Sequence, residues 1–140
     1  MLANGTFQEV IDDNTAKSKN VDTVVFCTGK FYYDLLAKKE EIGGVDNIAL
    51  VRVEQLYPLP QKQLDKVLAK YKGAKKHIWA QEEPENMGAW THMLRHFTSV
   101  KLEVISLDES GAPATGSSKA HAVRHNAIIN QVFENALVTN

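Results

Sequence analysis

An alternation that starts at Val21 and runs to the C-terminus constrains this chain more than any other feature. A short β-branched run, a break and a stretch with helical spacing follow one another repeatedly. Thr23-Val24-Val25-Phe26-Cys27 is almost continuously apolar, as a strand covered on both faces must be. It stops at Thr28-Gly29-Lys30, and Phe31, Leu35 and Leu36 then recur at helical spacing until Gly43-Gly44. Ile48–Val53 predicts a second strand, and Pro58 and Pro60 break the chain after it. Leu64, Val67, Leu68 and Tyr71 form one helical stripe, with Lys62, Lys66 and Lys70 on the opposite face. His77–Ala80 predicts a third strand, followed by a polar loop and a short helix over 89–97. Leu102–Ile105 predicts a fourth strand. A small-residue loop, 110–118, leads to a last helix over 120–137, with Ser117 or Ser118 as N-cap. The stripe of that helix is Val123, Ile129, Val132, Phe133, Ala136 and Leu137.

Parallel strands need crossover connections, and here helices supply them. The expectation is an α/β protein with three α/β/α layers around a mainly parallel sheet. Residues 1–20 read as linker and a short strand at 6–10, and residues 21–140 as the α/β domain. One domain suits 140 residues with 44% hydrophobic and 24% charged side chains. A net charge of −1 gives no bulk field for nucleic acid or an anionic membrane. The apolar runs are far short of the roughly 20 residues that span a bilayer. Cys27 is the single cysteine, which excludes an intramolecular disulfide, and the N-terminus lacks the pattern of a secretory signal. The expected compartment is the cytoplasm.

Ligands of open parallel sheets lie off the carboxyl ends of the strands. Three features there could carry chemistry, and each has a plainer explanation. Gly29 between a strand and a helix could face an anion, helped by Lys30, but a lone glycine without a phosphate-loop pattern is first a tight turn. Cys27 reads as a buried small hydrophobe. Glu82 and Glu83 could divide acid and base roles, yet neighbours on an extended chain point to opposite sides. The plainer reading of this stretch is a structural or interface turn: Asn86 caps the next helix, Gly88 and Ala89 permit close packing, and Trp90 anchors that helix. His92 with His96, and His121 with His125, are i, i+4 pairs. The HExxH glutamate is missing at both and no third ligand is evident, so solvated or hydrogen-bonded histidines are expected, with no metal. No nucleophile elbow or Ser/His/Asp set appears, and no catalytic residue is assigned.

Five blocks in order resemble the C-terminal domain of the thiamine-dependent, decarboxylating component of 2-oxoglutarate dehydrogenase. They are Ala3–Gln8, Cys27–Leu35, Val51–Pro60, Gln81-Glu82-Glu83-Pro84 through Gly88-Ala89-Trp90, and Pro113–His121. The resemblance implies a transketolase C-terminal-like domain with a five-stranded mixed sheet, one strand antiparallel, for which the 6–10 segment is the candidate. It implies a parent oxidoreductase of the tricarboxylic acid cycle that decarboxylates 2-oxoglutarate and succinylates a lipoyl group. The parent's thiamine diphosphate and Mg²⁺ would be bound by preceding domains, not by this chain, which has no Gly-Asp-Gly motif. Implied partners are the pyrimidine- and diphosphate-binding domains of the same chain, a homodimer partner and the dihydrolipoyl succinyltransferase core. Nucleotide effectors such as AMP or acetyl-CoA are associated with this region of the family. Lys30, Arg52 and Lys119 are the candidate phosphate contacts, because each lies in or beside a matching block. One departure bears on that role: the family's Gly-Arg-Pro is replaced by Ser106-Leu107-Asp108, so its arginine is a leucine here. Two other readings remain at this level. One is the same domain of another thiamine-dependent 2-oxoacid dehydrogenase; the other is a stand-alone ligand-binding module of the same fold.

Overall fold

The computed structural model describes residues 9–13, 18–43, 45–107 and 118–137, with the side chains of 107, 118–121 and 137 left aside. Five strands form one sheet in the order β1-β3-β2-β4-β5: β1 Val10–Ile11, β2 Thr23–Cys27, β3 Ile48–Val53, β4 Lys76–Pro84 and β5 Glu103–Leu107. The pairs β2/β3, β2/β4 and β4/β5 are parallel, and β1 alone among these runs antiparallel, with Val10 opposite Val53. The fifth, antiparallel strand therefore sits at 10–11, at the end of the expected segment; residues 6–8 lie outside the described residues.

Side chains of alternate parity build two separate cores, one on each face of the sheet. Val24, Phe26, Val51, Val53 and Trp79 meet α2 (Gln61–Lys70) and α3 (Trp90–His96) through Leu64, Val67, Trp90 and Met93. Val25, Cys27, Leu50, Ile78, Ala80 and Ile105 meet α1 (Phe31–Ile42) and α4 (Ser118–Leu137) through Phe31, Leu35, Ile129, Val132 and Phe133. Three layers follow directly. Each fully buried Leu, Ile or Phe contributes roughly 1.5–3 kcal/mol, so these two faces carry most of the stability. A buried carboxylate, Asp13, ties the N-terminal edge down by accepting from Leu50 N–H at 3.1 Å and Lys39 Nζ at 3.0 Å. Charge at such depth persists because it is paired and hydrogen-bonded.

Several expectations need correction. The segment after Ala80 is not a loop: β4 continues to Pro84, which pairs with Leu107 across a register shift. In α4, Val123 is 63% exposed, while Ile128, left out of the expected stripe, is buried. Helix α4 also begins two residues early, at Ser118; Ser117, a candidate cap, lies outside the described residues. Tyr71 stays buried although α2 ends before it, because its hydroxyl donates to Asp12 Oδ1 at 2.6 Å.

Candidate functional site

Strand order reverses between β2 and β4: the chain moves from β2 outward to β3, then crosses to β4 on the other side. That is a topological switch point, where crevices open in sheets of this kind. Both segments singled out above flank it.

On one side, Gly29 holds the turn between β2 and α1 at φ +66°, a conformation that suits glycine. Arg52, paired in register with Cys27 at the end of β3, reaches the same turn. Its Nε donates to Glu54 Oε1 at 3.0 Å and Nη1 to the Tyr33 hydroxyl at 2.9 Å. The rings of Tyr32 and Tyr33 each lie 5.2 Å from the guanidinium carbon. Glu54 accepts from Arg52, and this bond, with the Gly29 backbone N–H near it, holds its carboxyl below the usual range. The mouth of the turn thus already contains an anion from the chain itself. Lys30 is exposed beside it. The structure brings Lys30 and Arg52 to one sheet end; Lys119 lies in the first turn of α4, its side chain outside the described residues. Cys27 is fully buried and its thiol is pushed up to about 12 by that burial, which fits a packing role.

On the other side, an amide that sequence reasoning passed over organises the turn. Gln81 is buried on the Trp79 face of β4. Its Oε1 accepts from Trp79 Nε1 at 2.9 Å and from the Trp90 backbone N–H at 3.0 Å. Its Nε2 faces the carbonyls of Pro84 and Met87, each at 2.8 Å, and of Glu83 at 3.2 Å. Two N–H donors meet the oxygen and carbonyls meet the nitrogen, so only one amide orientation fits. Asn86 is therefore not the helix cap: Ala89 occupies that position without a side-chain bond, and Gln81 satisfies the helix's first N–H instead. Gly88 has φ +66°, and a Cβ there would lie 3.1 Å from Glu83 Cβ, so the close packing expected at this glycine is real. Trp90 is buried in the core, as expected.

Glu82 and Glu83 do diverge. Glu82 shares the face of Ile78 and Ala80, where its Oε1 lies 2.9 Å from His125 Nδ1. The other ring nitrogen, Nε2, is 3.0 Å from Asp34 Oδ2 on α1. His125 thus partners carboxylates on two other elements, while the side chain of His121 lies outside the described residues. His92 and His96 stack with ring centroids 4.4 Å apart, and His92 Nε2 meets the Leu56 carbonyl at 2.6 Å. The hydrogen-bonded reading holds for His92 and His125. Asp34, Glu54 and Tyr33 were not singled out in the sequence, because nothing local marks their partners.

This arrangement belongs with a family likeness that covers the chain. The family model described as 2-oxoglutarate dehydrogenase C-terminal matches residues 1–133. The chain is 37% identical over 137 residues to the human 2-oxoadipate dehydrogenase complex component E1, covering 95% of this chain and 15% of that protein. It is 40% identical over 141 residues to the 2-oxoglutarate dehydrogenase E1 component of Azotobacter vinelandii, covering 94% and 15%. Against the protein of the same name from Rickettsia felis the figures are 37% over 139 residues, 93% and 14%. The chain accordingly spans about 15% of the length of these relatives. It belongs to the 2-oxoglutarate dehydrogenase C-terminal family.

Proposed function

We propose that this chain is the C-terminal domain of a cytoplasmic, thiamine diphosphate-dependent 2-oxoglutarate dehydrogenase, serving as scaffold, dimer contact and effector site while the reaction proceeds in preceding domains. The observation that carries this reading is the family match over residues 1–133, spanning both strand-end turns. The cofactor does not fit here. The chain has no Gly-Asp-Gly motif to hold the diphosphate and its metal. Its chemistry, with that of Mg²⁺, therefore belongs to the domains that bind pyrimidine and diphosphate, and succinyl transfer to the succinyltransferase core. Tyr57, Met87 and Leu94, each more than half exposed around the β4–α3 turn, support a surface covered by those domains or by a second subunit. Glu82, Glu83, Asn86, Gly88 and Trp90 shape that turn.

For an effector such as acetyl-CoA or AMP, Lys30 and Arg52 offer charge at the switch point, with Lys119 the third candidate. Isothermal titration of the full-length enzyme with acetyl-CoA tests this, wild type against Arg52→Ala. A loss of about tenfold or more in affinity is expected for a charge-assisted contact. Unchanged affinity removes Arg52 from the site. A second substrate reading, 2-oxoadipate, is favoured by the names of three relatives at 37–41% identity. Turnover of both 2-oxoacids by the full-length enzyme separates the two.

A further inference from the structure

The least expected cluster joins three elements: Asp34 from α1, Glu82 from β4 and His125 from α4. One carboxylate oxygen from each acid and one imidazole nitrogen all lie within 4.8 Å of one another. Asp34 and His125 are 91 residues apart, so no local motif announces the set. We infer that these side chains form a site for a divalent first-row transition metal, Zn²⁺ being the natural probe, that staples the last helix to the sheet.

Donor chemistry supports this. One imidazole with two carboxylates is a borderline set, suited to Zn²⁺ or Mn²⁺ rather than to cations that prefer oxygen alone. Two carboxylate charges balance a dication. The 3.0 Å between His125 Nε2 and Asp34 Oδ2 matches the edge spanned by two cis ligands about 2.1 Å from one metal, and Glu82, now 2.9 Å from the opposite nitrogen Nδ1, shifts toward the Nε2 side to complete the set. Location adds an independent argument. Glu82 lies near the end of β4 and Asp34 follows the turn after β2, so the cluster lies at the topological switch point, on its α1/α4 face. A cleft of about 440 Å³ opens beside it, where Glu41, Asn126 and Asn130 offer further oxygen donors and Lys38 contributes the opposing charge. Lys38 is itself paired with Glu41 at 3.5 Å, which offsets that opposition. Half-burial of His125 and Glu82 leaves room for a water to complete the coordination. Metal ligands must be free of protons, so uptake weakens as pH falls.

The test uses the 140-residue chain itself, so its outcome is independent of whether the chain belongs to a dehydrogenase. After treatment with chelator, the chain is titrated with Zn²⁺ by calorimetry, and with Co²⁺ followed by its visible ligand-field bands. One equivalent bound, lost in His125→Gln and weakened at least tenfold in Asp34→Asn, is the expected result. Each variant's circular dichroism is recorded, and Glu82→Gln serves if either misfolds. Equal uptake by wild type and the folded variants, or no uptake, would overturn the site and leave His125 as a hydrogen-bonded clamp.

Discussion

The two turns at the switch point hold their shape by opposite means. The β4–α3 turn is built around a neutral amide, Gln81, 2% exposed, whose oxygen and nitrogen are both fully engaged. The β2–α1 turn is flanked by an ion pair, Arg52–Glu54, whose side chains are 16% and 22% exposed. In the first case burial makes every hydrogen bond count, because an abandoned partner has no water to turn to. In the second, solvent screens the charges and can replace either partner. The difference separates framework from exchangeable surface. A turn meant to stay fixed is stitched by a dry amide, whereas a turn able to accept a ligand's anion keeps a removable one of its own.

The largest expected effect is at Gln81. Replacing it by Leu leaves Trp79 Nε1, the Trp90 N–H and the Pro84 and Met87 carbonyls without their partner. Urea denaturation should show a loss of about 2–4 kcal/mol, following the cost of buried groups left unsatisfied. A loss below about 1 kcal/mol would break the contrast between the turns. At the other turn, Glu54→Gln should change stability at neutral pH by less than about 1 kcal/mol, because the amide oxygen can still accept from Arg52 and the pair is partly open to solvent. Its signature lies in pH. Because the fold lowers the Glu54 carboxyl from its ordinary 4.5, the pair stabilises fully above that value. Its contribution is lost as pH falls through the lower, folded value. The variant should therefore flatten the acid limb of the stability profile below about pH 4.5, and phosphate should bind it more tightly than wild type. An unaltered acid limb with unaltered phosphate binding would show that Glu54 does not plug the turn.

Much of the framework was legible in the sequence, and the reasons are local. Ile48–Val53 is an apolar run bounded by turn residues, and it forms β3 with those limits. The lysines of α2 lie opposite its buried Leu64 and Val67, since period alone decides which face meets the sheet. The reading failed where tertiary partners override composition. Gln81-Glu82-Glu83 looks like a polar loop, yet it is strand, because Gln81 finds its donors and acceptors up to nine residues away and Glu82 finds a histidine on α4. Val123 fits an apolar stripe but lies 63% exposed, while Ile128 takes a place in the core. Of the candidate site, Lys30 and Arg52 were nameable from their positions at strand ends. Glu54 as resident anion and the Asp34–His125–Glu82 cluster arise only from the fold.

The account rests on a division of labour between this domain and the domains proposed to precede it. The direct measurement is 2-oxoglutarate-dependent dye reduction with thiamine diphosphate and Mg²⁺ present, by the 140-residue chain alone and by the chain fused to a relative lacking its own C-terminal domain. No turnover by the chain alone, with activity restored in the fusion, is the predicted result. Turnover by the chain alone, or a folded fusion that stays inactive, would contradict it.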